Sequence, residues 1–217
     1  MTEQKSLKRE YDSSRRQAQA NETRRRILEV ARRQFMERGY IGTTAEDIAT
    51  EADVSVQTIY AIFKNKKKLL TSLMNVSPLT GVEDRTPMPE RPNVQAVSRE
   101  RDRRRQLQRF AQVVASNLDQ VAGIFEVMTD AARVEPDFER MVEKLNKQRL
   151  EHMTLAVRDF ASNGPFRTGM DQAYARDIVW TLTSGEVFLL LTRERGWSKE
   201  KYADWLTDML VRALLPS

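Results

Sequence analysis

Residues 54–70 read VSVQTIYAIFKNKKKLL. Ser55 is a good N-cap, and Val54 and Ile59 are spaced to close a hydrophobic staple around it. Ile59 and Phe63, four residues apart, give the short helix 55–63 one anchoring edge. Val56, Gln57, Tyr60 and Ala61 then fall largely on its other side. Asn65 can cap the next helix, whose first turn, Lys66-Lys67-Lys68, places cations against the helix dipole. A phosphate at that helix end would turn the repulsion into attraction. The stretch thus predicts a small helix with a free face, followed by a helix start that favours an anion.

Upstream, a helix is expected over 22–38, with Ile27, Ala31 and Phe35 on one face and Arg24, Arg25, Arg26, Arg32 and Arg33 elsewhere. Gly39 ends it. Thr43 and Thr44 open a second helix, Thr43 and Glu46 having the spacing of a capping box. Ile48, Ala49 and Ala52 supply its buried side. Two helices joined by a tight turn on a basic three-helix unit define a homeodomain-like helix-turn-helix, which would lay the 55–63 helix in the major groove.

The charge distribution supports this reading. The chain has 217 residues and a net charge of +5. Residues 1–70 hold fifteen Lys/Arg against ten Asp/Glu, and the remainder balances at twenty-one each, so an anionic partner is expected for the first module. There are no cysteines and one histidine, His152, which leaves no thiolate or multi-histidine metal site. The first twenty residues lack the apolar core of a secretory signal. The longest apolar stretch, 187–191, is too short to span a bilayer. A protein of the reducing cytoplasm is expected. No glycine-rich phosphate loop, nucleophile elbow or HExxH is present. The expectation is a protein that is not an enzyme and needs no cofactor.

Helical periodicity dominates the whole chain, and the fold class is all-α with about nine helices. Four of the seven prolines (Pro78, Pro87, Pro89 and Pro92) fall in one segment with Gly81. This divides the chain into a basic, disordered extension at 1–20, a helix-turn-helix domain at 21–76, a Pro-rich loop at 77–93 and a helical domain at 94–217. In the last, helices are expected over 94–118, 119–133, 137–162, 170–195 and 198–215.

Residues 24–70 resemble the DNA-binding domain of the TetR (tetracycline repressor) family of bacterial transcriptional regulators. The similarity rests on FMERGY at 35–40, GTTAEDIA at 42–49, EADVSVQTIYAIF at 51–63 and KNKKKLL at 64–70. The family often has glycine where this chain has Asp53 and Gln57. Position by position, the resemblance implies phosphate contacts from Thr44, Tyr60 and Lys66. It implies base or groove contacts from Val56, Gln57, Thr58 and Ala61. Thr43, Ser55 and Lys64 complete the expected DNA-binding set. Ser55 can cap, bond a phosphate or do both, and Thr58 is about as well suited to bonding its own backbone as to a base.

The resemblance further implies dimerisation through the last two long helices, packed as a four-helix bundle across a two-fold axis. The last helix is amphipathic and the one before it apolar nearly all round, so Val187, Phe188, Leu191, Tyr202, Trp205, Leu206 and Met209 are the expected interface. Gly185 would permit close approach at that seam. Regulators of this type usually hold a small molecule in the C-terminal domain. The candidates here are Phe110, Phe125, Met128 and Trp180, with Asn117, Gln148 and His152 as polar points, a set suited to a hydrophobic or aromatic effector. The expected function is a homodimeric repressor on a palindromic operator, released by ligand. The alternatives are a regulator of the same fold controlled by a protein partner or by its own concentration, and a helical module binding nucleic acid without sequence choice.

Overall fold

The computed structural model describes residues 2–75 and 86–216, the side chains of 2–14 and 16 excepted. Most of the expected Pro-rich loop lies outside the described residues. Two compact units divide at Arg85 and Thr86, and the described residues of both are helical.

The first unit comprises α1 (Thr2–Arg38), α2 (Ala45–Glu51), α3 (Val56–Phe63) and α4 (Lys66–Ser72). Ile27, Ala31 and Phe35 of α1 are fully buried with Ile48, Ile59, Leu69 and Leu70. The buried residues of α3 in this small core are Ile59 and Phe63. The helix α1 starts near the chain's beginning, where a disordered extension was expected. Residues 1–38 contain no glycine or proline, so nothing in the backbone interrupts a run of Glu, Gln, Lys, Arg and Ala, all good helix formers. Gly39, at φ +69, ends α1, with its N–H donating to Phe35 O at 2.9 Å.

The second unit comprises α5 (Pro92–Arg99), α6 (Arg103–Ala131), α7 (Pro136–Ser162), α8 (Gln172–Leu182), α9 (Gly185–Leu189) and α10 (Lys199–Leu214), with α9 running into a π turn at Leu190–Glu194. Helix α6 is central and packs against α5, α7, α9 and α10. Its Leu107, Phe110, Ala111, Ala115 and Ala122 meet Phe160, Val179, Tyr202, Leu206 and Leu210 in one core.

Two expected boundaries are corrected. The chain does not break at 118–119, because Leu118 and Ala122 continue one buried stripe along α6. The break falls at 100–102, where the Glu100 carboxylate accepts the N–H groups of Arg101 and Asp102 at 3.0 and 3.1 Å. Asp102 then caps α6 by accepting from Arg105 N at 2.8 Å. The expected helix 170–195 is likewise divided at Thr183–Ser184. Thr183 Oγ1 bonds back to Val179 O at 2.7 Å, and Ser184 caps α9 through Val187 N at 3.2 Å.

Candidate nucleic-acid interface

Three helix starts in the first unit are capped by side chains. Thr44 Oγ1 accepts from Asp47 N at 3.0 Å, Ser55 Oγ from Thr58 N at 3.1 Å and Asn65 Oδ1 from Lys68 N at 2.8 Å. Each cap satisfies one otherwise orphan donor and leaves others near solvent, the arrangement that attracts phosphate. Thr44 and Ser55 are exposed. The Thr44 hydroxyl accepts in the cap and still carries a proton to donate outward.

The cap of α2 is Thr44, not Thr43, so the expected Thr43–Glu46 capping box does not form. Thr43 is fully buried. Its hydroxyl lies 3.1 Å from Gln34 O and 2.8 Å from Gly39 O, donating back to the end of α1. It is therefore a structural residue, and a DNA contact from its side chain is excluded by burial. Gly42 lies beside it, where an added Cβ would stand 2.5 Å from Arg38 O. Only glycine fits that approach.

On α3, Gln57 and Ala61 are exposed, Val56 and Thr58 half-buried, and Tyr60 is 43 % exposed despite its size. The Thr58 hydroxyl is 2.9 Å from Ser55 Oγ, a local bond that ties it to the cap. At one end of the α3 turn, Asp53 adopts φ 51, the left-handed geometry for which glycine is the usual choice. Arg26 donates to Asp53 O at 3.3 Å and holds that turn. At the other end, exposed Lys64 has φ 71. Lys66 differs from expectation: its ammonium donates to Tyr40 O and Thr43 O, both at 2.9 Å, and lies 4.2 Å above the Tyr40 ring. The α1 arginines are also partly structural. Arg24 sits 4.6 Å over the Phe63 ring, and Arg32 donates to Leu73 O at 3.1 Å.

In the second unit the expected ligand residues are not gathered into one place. Phe110 is buried edge-to-face on Phe160 at 5.2 Å, and Met128 is fully buried; both are core. Asn117 is half-buried and Gln148 exposed. Trp180 is covered by Arg149, whose guanidinium lies 3.8 Å above the ring and donates to Trp180 O and Thr183 Oγ1. Burial pulls the Arg149 pKa down, partly offset by Glu186. Burial likewise holds His152 below the usual histidine range, with Glu151 opposing and Arg91 reinforcing. Phe125 lines an open groove of about 320 Å³ between α6 and α9, with Ala122, Leu189 and Leu190 and the carboxylates Glu126, Asp130, Glu186 and Glu194. Sequence reasoning missed this groove because it depends on the break before α9. Arg193 spans it to Glu126 at 2.7 Å.

The expected dimer residues divide in two. Phe188, Tyr202 and Leu206 are buried within the unit. Tyr202 donates to Leu182 O at 3.0 Å and packs on Phe188 at 4.9 Å, because α10 turns this edge towards α6. Val187, Leu191, Trp205 and Met209 remain half-exposed. Gly185 faces Ala122, its would-be Cβ at 3.7 Å, so within the unit it approaches α6.

A short helix held by its buried edge, with polar groups at neighbouring capped helix starts, defines a helix-turn-helix domain. Residues 27–73 match the family model described as "Bacterial regulatory proteins, tetR family". The HTH-type transcriptional regulator YvkB of Bacillus subtilis (strain 168) is 42 % identical over 53 residues, 24 % of this chain and 28 % of that protein. The chain thus spans little more than a quarter of the length of the curated relatives it matches. Among solved structures, NalD, the secondary repressor of the MexAB-OprM multidrug efflux pump in Pseudomonas aeruginosa, aligns over 91 % of this chain and 98 % of its own, with TM-score 0.62 and 22 % identity. A transcriptional regulator FadR from Bacillus subtilis in complex with stearoyl-CoA aligns over 86 % and 96 %, with TM-score 0.59 and 19 % identity. These structures share the fold of both units. The likeness to the tetR family in sequence rests on residues 27–73 of the N-terminal unit. The curated relatives it matches are HTH-type transcriptional regulators. Among the described residues no helix is long and apolar enough to cross a membrane.

Proposed function

We propose that this protein is a DNA-binding transcriptional regulator, acting as a homodimeric repressor on a palindromic operator. The observation that carries the reading is α3 itself. Ile59 and Phe63 are buried while Gln57, Tyr60 and Ala61 face solvent, so the helix is fastened on one side and offers amide, phenol and methyl groups on the other. An amide reads an adenine edge, and a phenol bonds phosphate. In a dimer the two α3 helices would meet half-sites about one DNA turn apart, ~34–36 Å.

The test is titration of the full chain against a duplex selected from a random pool and against its scrambled counterpart, at stated salt. Tyr60→Ala is expected to weaken binding to both, and Gln57→Ala to change the preference between related sequences. Equal wild-type affinity for selected and scrambled duplexes would reduce the protein to a non-specific binder and overturn the repressor reading.

Control by a small molecule is the finer part of the proposal. The 320 Å³ groove beside α9 is at the lower end of the range for small-molecule sites. Phe125, Leu189 and Leu190 suit an apolar or aromatic body, and the carboxylates on its rim disfavour an anion. The solved relative that holds stearoyl-CoA supports an effector in this fold. A thermal-shift screen that finds no stabilising compound, together with unliganded repression that follows protein concentration, would favour control without an effector.

A further inference from the structure

Helix α3, VQTIYAIF, contains no charged residue. Arginine or lysine, bonded to O6 and N7, is the commonest reader of guanine, and α3 has neither. Lys64 follows at its C-terminal end, whereas a recognition helix meets base edges with its N-terminal residues. Arg24 meets α3 on the buried edge, 4.6 Å from the Phe63 ring centre. The hydroxyls at the helix start are engaged with each other. Ser55 Oγ accepts the Thr58 N–H at 3.1 Å and lies 2.9 Å from Thr58 Oγ1. Gln57 and Ala61 remain, both exposed and one turn apart on the same side of the helix. They offer an amide and a methyl group.

We propose that α3 reads A·T pairs in each half-site: Gln57 takes an adenine, and the Ala61 methyl lies against a thymine methyl. The inference rests on the DNA-binding reading above and adds the class of base pair that α3 selects. The Gln57 amide carries a donor and an acceptor in one plane, and adenine answers both, with N7 accepting and the N6 amino group donating. Guanine presents two acceptors there, N7 and O6, so the Gln57 carbonyl would face O6 with no proton between them. Cytosine offers the N4 donor alone and thymine the O4 acceptor alone, so the amide keeps one bond of its two. Thymine is the base that carries a methyl group in the major groove, which gives the Ala61 side chain an apolar partner.

The experiment measures affinity of the full chain for the duplex selected from a random pool, at fixed salt, with single bases of one half-site replaced. Guanine in place of the adenine that Gln57 reads, with cytosine opposite, is expected to weaken wild type about fivefold or more. 7-Deazaadenine, which lacks the N7 acceptor, should give a smaller loss in the same direction. Gln57→Ala should bind the adenine, 7-deazaadenine and guanine duplexes within about twofold of one another, because the group that tells them apart is gone. Deoxyuridine removes the thymine methyl. Placed at each thymine of the half-site in turn, it should cost wild type about three- to fourfold at one position, the worth of one buried methyl group. Ala61→Gly should lose that sensitivity. The wild type on the altered duplexes carries the test if Ala61→Gly melts too low to assay. A guanine or cytosine selected at the position that Gln57→Ala relaxes would overturn the inference. So would equal responses of wild type and Gln57→Ala to 7-deazaadenine, or no loss from any deoxyuridine. Equal wild-type affinity for selected and scrambled duplexes overturns the DNA reading as well, whereas specific binding through G·C pairs overturns the A·T inference alone.

Discussion

Lys64 is held at φ 71 and ψ −48 while Asn65 N donates across it to Phe63 O at 2.9 Å. That is a γ-turn of the rarer, strained hand. A side chain in such a conformation costs of order 1–3 kcal/mol, and glycine at the same place avoids most of it. Lys64→Gly is therefore expected to raise stability in urea by about 1 kcal/mol while weakening DNA binding, since it removes an exposed cation beside α3. Gain of stability with unchanged DNA affinity would remove Lys64 from the interface. Asp53 presents the simpler case of φ 51, and it explains why a position often glycine in the family tolerates an aspartate: the left-handed region is open to Asp at modest cost. His152 gives a pH dependence. Its folded-state pKa lies below the ordinary value because burial disfavours the imidazolium, so the unfolded chain binds the proton first. Its contribution is fully present above about pH 6.5 and is lost as pH falls from there through the folded pKa. Replacing it with Gln should flatten that part of the stability–pH curve, and an unchanged curve would show that another group governs it.

At the scale of helices, the breaks in the second unit are held by side chains from elsewhere. Arg149 of α7 donates to Trp180 O and Thr183 Oγ1, and Tyr202 of α10 donates to Leu182 O, so the last carbonyls of α8 have partners where the helix stops. Burial pushes the Tyr202 phenol up, keeping it a donor through the neutral range. Tyr202→Phe is expected to cost about 1 kcal/mol in denaturant melts, leaving the ring contact with Phe188 intact. These breaks were not legible in the sequence, although their caps are ordinary. Asp102 and Ser184 cap α6 and α9, but Asp119, exposed in mid-helix, looks equally suitable on paper. Choosing among them depends on which apolar stripe is buried, and that is decided by the neighbouring helices. The first unit was more legible because its signals are local: Ser55 and Asn65 cap the helices they precede, and Ile59 and Phe63 are buried at their expected spacing.

For the whole molecule the proposed dimer sets the sharpest expectation. Leu190 is 57 % exposed on the π turn, beside half-exposed Val187 and Leu191, and Trp205 and Met209 present a second half-exposed edge on α10. Leu190→Glu should shift sedimentation at micromolar concentration from dimer to monomer while the variant stays folded and helical. Leu206→Glu should instead unfold the unit, because Leu206 is fully buried and a lone carboxylate there has no partner. A wild type that sediments as a monomer would refute the dimer. The sequence by itself determined the all-helical class, the basic first module and the capped, one-sided α3 helix, because caps, periodicity and net charge act over a few residues. Only the tertiary structure decided that Thr43 is buried, that Lys66 bonds the turn before α2, and that Tyr202 and Leu206 face α6. Those facts depend on which groups distant in the chain come within hydrogen-bonding distance of one another, and no local pattern encodes that.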